Sequence, residues 1–159
     1  MQGYWTKEQK KAFDERRDME VLATVISEAH RNNKMAVAHT MSIEASERAI
    51  KAGIDGLMHI FVDRPHTREI IDAIVNSGAF VCPTIVAGAS TIGDSDAAEF
   101  AKDERVRSKL SEEWFNALHK HIATYPQGKT AYLLKAVKAL HDAGRLDADR
   151  SANRMLTNP

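Results

Sequence analysis

Two histidines close short apolar runs, Met35-Ala-Val-Ala-His39 and Gly56-Leu-Met-His59-Ile-Phe61. Neutral imidazole is a common ligand of zinc and similar divalent ions, so two rings brought together could hold a cation. One histidine after a strand is ordinarily a hydrogen-bonded core or rim residue. Two at matching positions of successive units turn the reading toward a site. If the runs are neighbouring parallel strands in register, the rings come within about one strand spacing, ~5 Å. That separation suits one metal held by both rings, or two metals a few ångströms apart with one ring each.

The elements needed to position them are legible. Val21, Leu22, Val25, Ile26 and Ala29 make one helical face over Glu20–Asn32, and Asn32-Asn33 can end that helix. The run ending at His39 has the near-continuous apolar character of a buried parallel strand. Ser42 is an N-cap candidate with Glu44 in the first turn, and Gly53 stops the helix that follows. The strand at 56–61 comes next. Thr67 can then cap a helix burying Ile70, Ile71, Ile74 and Val75, ended by Gly78. Ala79-Phe-Val-Cys82 is the third strand, terminated by Pro83. Helix-length crossovers force parallel pairing of sequential neighbours. Both histidines then lie at the C-terminal strand edge, where α/β folds gather their ligand sites.

Beyond Thr84 the periodicity weakens through Gly88–Asp96, a stretch rich in turn residues. Residues 94–144 read as helical. A long helix is predicted with Phe100, Val106, Leu110, Trp114, Phe115, Leu118 and Ile122 on one face, broken at Tyr125-Pro126-Gln-Gly128. A last helix spans Lys129 to Ala143. After Gly144 a fourth strand is expected, yet residues 145–159 contain no apolar run of three. Residues 1–19 read as a charged arm, so the chain is organised as arm, βα core over 20–86, helical part and irregular tail within one domain, 1–159.

Composition narrows the function classes. The 159 residues are 43% hydrophobic, with 22 Lys+Arg against 22 Asp+Glu. Net neutrality gives no basic footprint for nucleic acid. The lone Cys82 excludes an internal disulfide framework and a Cys-rich zinc module. No apolar run approaches the roughly 20 residues that span a bilayer, and residues 1–8 show no apolar leader core. Cytoplasm is the default expectation, although a leader could precede a longer parent.

Several pieces together carry a resemblance: Ile26-Ser-Glu-Ala-His-Arg31, Ala36-Val-Ala-His39, Ala49-Ile-Lys-Ala-Gly-Ile-Asp-Gly-Leu-Met-His59 and Gly78-Ala-Phe-Val-Cys-Pro-Thr84. Over about residues 20–86 the chain resembles the amidohydrolase superfamily, nearest its imidazolonepropionase-related and dipeptidase-like branch. The resemblance implies an α/β fold, part of a (β/α)8 TIM barrel, with one or two divalent metals, zinc foremost. His39 matches the metal-ligand histidine after the fifth strand and His59 the one after the sixth. The implied chemistry is hydrolysis of a C–N bond in an amide, dipeptide or cyclic amide by metal-activated water. Asp63 is a candidate to orient a histidine ring, with an exposed partner of Arg64 as its plainer reading. Thr84, at the mouth of the third strand, is a candidate substrate-lining residue. The family's His-x-His, bridging lysine and Gly-Thr-Asp have no match here. The chain therefore reads as strands five to seven of a longer enzyme, catalytically incomplete alone and open to self-association through unpaired sheet edges. A free-standing α/β binding domain with two structural histidines is the alternative.

Other residues are decoys. His119 and His121 imitate His-x-His, but within a helix i and i+2 diverge, so they do not share an ion. His30 and His141 sit in last helical turns, where cations complement the dipole, and His66 reads as a loop residue. Cys82 in an apolar strand reads as inert core. Trp114-Phe115 reads as core, and Asp94 and Asp96 as loop residues that a lid could use.

Overall fold

A computed structural model describes residues 7–94, 97–118 and 124–144. Helix α1 (Lys7–Arg31) leads into strand β1 (Val37–His39). Helix α2 (Ile43–Lys51), strand β2 (Gly56–Met58), helix α3 (Arg68–Ser77) and strand β3 (Phe80–Cys82) follow. The strands form one parallel sheet in the order β1-β2-β3, with His39 opposite Met58 and Met58 opposite Cys82. Sequential parallel strands joined by helices make an α/β unit with the topology of an arc of a (β/α)8 barrel.

Local chemistry explains each boundary. Asn33 turns left-handed (φ 53°) where α1 ends, and the Ser42 hydroxyl accepts from Ala45 N–H at 3.2 Å to start α2. Gly78 takes the left-handed position after α3. Thr67 is the N-cap of α3, but its hydroxyl caps no helix N–H. It bonds the Glu69 carboxyl instead and holds it below the ordinary carboxylate range, with the backbone N–H of Glu69 itself assisting.

The pleat divides the sheet. Ala38, Leu57 and Val81 share one face, and Leu57 and Val81 are buried there. Val37, His39, Met58 and Cys82 share the other face, where Val37 and His39 are exposed. Gly56 and Phe80 also lie there, and the Phe80 ring covers Gly56 so closely that a Cβ would stand 2.2 Å from Cζ. Ile60, Phe61 and Val62, directly after His59, are fully buried with Ile70, Ile74, Leu133 and Leu140. This cluster clamps the chain on the far side of His59.

Two expectations change beyond Thr84. The start of the turn-rich stretch belongs to a helix, α4 (Ile85–Thr91), packed on the last helix. Its Gly88 permits that contact, since a Cβ there would meet Leu133 Cδ1 at 2.4 Å and Val62 Cγ1 at 3.2 Å. The single long helix is instead three short ones within the described residues, α5 (Ala97–Lys102), α6 (Glu104–Arg107) and α7 (Glu112–Leu118). Asp103 restarts the chain by accepting from Arg105 N–H at 3.0 Å, and Ser111 does so by accepting from Trp114 N–H at 3.2 Å. These side-chain caps compete successfully with helix continuation. Phe100 and Trp114 are consequently exposed rather than core. Helix α8 (Thr130–Asp142) buries Leu133, Ala136 and Leu140. Helix α1 begins at Lys7, within the expected arm. His119, His121, Ile122, Asp96 and the tail 145–159 lie outside the described residues.

Candidate functional site

The site is built at the C-terminal ends of three adjacent strands. His39 is the last residue of β1 and is fixed by the ladder, with Thr40 N–H donating to Met58 O at 3.1 Å. Below it the Thr40 and Ser46 hydroxyls, both buried, meet at 3.1 Å and tie the strand end to α2. His59 follows β2, and its N–H donates to Cys82 O at 2.8 Å. Its backbone is left-handed, φ 74°, which is uncommon outside glycine although histidine tolerates it better than most.

This turn brings the two rings together. Their centroids are 4.8 Å apart with planes inclined by 56°, and His39 Nδ1 lies 2.8 Å from His59 Nε2. With both rings neutral, one proton lies between those nitrogens, carried by either ring according to tautomer. Burial, then the neighbouring His39, pushes the His59 imidazole below its ordinary value. Both effects favour the neutral form, the one that ligates cations.

The other nitrogen of His59, Nδ1, is hydrogen-bonded to Thr84 Oγ1. Thr84 also has left-handed backbone, φ 43°. Thus His39, His59 and Thr84, one from each strand end, form a continuous chain of contacts. Asp63 is placed elsewhere. Its Oδ1 accepts from Ile43 N–H at 3.1 Å, and Oδ2 stands 3.8 Å from Arg64 Nε. With its side chain only 12% exposed, it braces the loop after β2 against the first turn of α2.

The donor set fits a divalent cation in kind but is short in number. A tetrahedral zinc about 2.0 Å from each nitrogen separates them by about 3.3 Å. The rings need to part by about half an ångström from their hydrogen-bonded contact. Zinc sites normally take at least three protein ligands. Among the described residues, no group of three His, Cys, Asp or Glu side chains could hold a metal.

Sequence reasoning missed Asp55, which acts at the opposite end of the strands. Its Oδ2 accepts from Ala36 N–H at 2.7 Å and lies 2.8 Å from His30 Nε2. Its own N–H donates to Ala36 O, and its carbonyl accepts from Phe80 N–H, both at 3.0 Å. One residue thereby sets the register of all three strands. The signal available was an Asp immediately before the glycine that opens a strand, in Ala52-Gly-Ile-Asp-Gly56. Cys82 is a half-buried free thiol, and His141 stands 3.6 Å from Asp142 Oδ1 on an exposed helix end. Asp94 accepts from the Thr130 hydroxyl, linking the segment after α4 to the start of α8.

Comparison with known proteins gives similarity to solved structures. The chain is similar to a Xaa-Pro dipeptidase with methionine bound in its active site (20% identity, TM-score 0.46, 80% of this chain and 27% of that one). It is also similar to ochratoxinase of A. niger (22% identity, TM-score 0.48, 80% and 24%). An amidohydrolase shows 18% identity and a TM-score of 0.44, over 79% and 25%. The chain thus spans about a quarter of the length of these proteins. No protein-family model matches it, and no curated protein does. Among the described residues, no helix is long and apolar enough to cross a membrane.

Proposed function

We propose that the chain carries part of the cation centre of a metal-dependent amidohydrolase. His39 Nδ1 and His59 Nε2 would hold a divalent ion, zinc by donor chemistry, for hydrolysis of a C–N bond in an amide, dipeptide or cyclic amide. The observation supporting this is the convergence of two imidazole nitrogens, 2.8 Å apart, at the C-terminal edge of neighbouring parallel strands. When bound, such an ion lowers the pKa of its water toward neutrality and polarises the substrate carbonyl. The chain's own contribution is to keep both rings neutral and oriented. Asp63 acts through α2 rather than on a ring, by holding the helix start beside the β1 end.

Two ligands are fewer than a working zinc site requires, so the remaining ligands lie outside the described residues. The isolated chain should bind zinc weakly and leave dipeptides intact. The unpaired edges of a three-stranded sheet should also promote self-association of the isolated chain. The contact between the rings favours a second reading, in which the two histidines are only a structural hydrogen-bonded pair.

Zinc competition against a chromophoric chelator separates the readings. His39→Ala and His59→Asn should each lower zinc affinity by at least about tenfold, and Asn keeps the left-handed backbone at position 59 accessible. Zinc affinity unchanged in both variants would leave the structural pair standing. Metal-dependent dipeptide turnover by the isolated chain, above free zinc, would refute its incompleteness.

A further inference from the structure

Thr84 occupies a place where a hydroxyl ordinarily serves its own helix, and here it does not. It is the N-cap of α4, where threonine usually has extended backbone and accepts from a helix N–H. Instead its backbone is left-handed, φ 43° and ψ 58°, and the side chain makes no cap hydrogen bond. A β-branched residue in that region is an outlier. The hydroxyl is directed onto Nδ1 of His59, itself left-handed at φ 74°. Asn33 is the only other non-glycine residue with positive φ among those described. Two strained residues at neighbouring strand ends thus meet in one hydrogen bond, and strain of this kind persists where the contact has a use.

We propose that Thr84 is a positioning residue: its hydroxyl accepts the Nδ1 proton of His59 and fixes the tautomer whose Nε2 lone pair faces His39 Nδ1. The consequence for binding rests on the reading that these two nitrogens share a cation. A neutral imidazole carries one ring proton. An ion at Nε2 requires that proton at Nδ1, and in a partly buried position the N–H requires an acceptor. Thr84 Oγ1 is that acceptor. If the hydroxyl donated to Nδ1 instead, the proton would sit at Nε2, between the rings, and would have to leave before an ion entered. Setting the tautomer in advance removes this step at His59, as outer hydrogen bonds do for ligating histidines. The proton between the rings is then carried by His39 Nδ1, and His39 alone must give it up, by shifting to its own Nε2 tautomer, when an ion enters. The role of Thr84 also accounts for the forfeited helix cap.

The test uses the full chain without metal, labelled with 15N, at a pH about one unit above the ordinary imidazole value. Two-bond 1H–15N correlations of the His59 ring report which nitrogen is protonated. The wild type should show Nδ1–H. Thr84→Ser, which keeps the hydroxyl, should retain that signature, and Thr84→Val should move it toward Nε2–H. Valine keeps the β-branch and shape of threonine, so the acceptor is lost with the least change in side-chain volume. With Zn2+ alone as the probe, Thr84→Val should bind about tenfold more weakly or worse, with Thr84→Ser close to the wild type. Nε2–H in the wild type would overturn the proposal, as would a valine variant with unaltered tautomer and zinc affinity. If Thr84→Val fails to fold, the wild-type and serine spectra still decide. Failure of the cation reading is distinct: His39→Ala and His59→Asn would then leave zinc affinity unchanged, whatever the tautomer.

Discussion

His59 is gripped at both ends of its ring, by His39 on Nε2 and by Thr84 on Nδ1, and this has a consequence for stability. Its imidazole titrates below the ordinary value in the folded chain because burial, then His39, disfavours the cation. Around pH 6.5, the ordinary value, the unfolded chain therefore binds more protons than the folded one. Stability is fully present above that value and is lost as pH falls through it toward the lower folded value. Denaturant midpoints measured from about one unit above to one unit below 6.5 should fall for the wild type. His59→Asn should flatten part of that fall, and an identical slope in both proteins would show that His59 does not contribute. The placement of His39 and His59 was legible because their apolar runs and helix-length spacing allow only one sheet edge. Their approach to about one strand spacing was legible too, but the bond from His59 to Thr84 was not, since both residues have left-handed backbone. Positive φ is advertised by glycine and asparagine, as at Gly78 and Asn33, not by histidine or threonine.

Strands of three residues position these side chains only because their packing leaves little freedom. Gly56 opens β2 beneath the Phe80 ring, and an added Cβ would fall 2.2–2.7 Å from three ring atoms. Phe80 is 5% exposed and cannot swing aside without moving β3. Gly56→Ala should destabilise the chain by about 1–3 kcal/mol, the usual range for overpacking, despite the better strand propensity of alanine. Because β3 leads directly into Thr84, the same change should disturb the His59 ring resonances, which denaturant titration combined with NMR would detect. Full stability with unshifted resonances would mean the Phe80 ring yields freely. Leu133→Ala, at a fully buried position joining α8 to the cluster beneath His59, should cost about 2–5 kcal/mol. The elements up to Thr84 were readable because apolar period and stop residues agree there. Residues 97–118 were not. Their apolar spacing suits one continuous helix, whereas Asp103 and Ser111 act locally to restart the chain. A cap and an interior polar residue look the same in a spacing pattern.

At the scale of the molecule, burial is uneven. Leu57 and Val81 are buried on one face of the sheet; on the opposite face Phe80 is buried as well, but Val37 at the β1 edge is 40% exposed and His39 lies open. Among the described residues β1 and β3 each have a single strand neighbour, so unpaired backbone groups flank that open face. Charge does little to keep copies apart, because 22 basic residues balance 22 acidic ones. Three-residue edges offer few ladder hydrogen bonds, which makes apolar burial the main driving force for association. Self-association should therefore rise with protein concentration in sedimentation velocity. Val37→Lys, placing a charge on the open face at the β1 edge, should return the chain toward monomer without loss of fold. A wild-type chain that stays monomeric over the accessible concentration range would show that the open face is not adhesive. Zinc separates this effect from the site, because both histidines lie at the C-terminal strand edge and Val37 lies two residues upstream of His39. Val37→Lys should consequently reduce association while leaving zinc affinity close to the wild type, whereas His39→Ala should do the reverse.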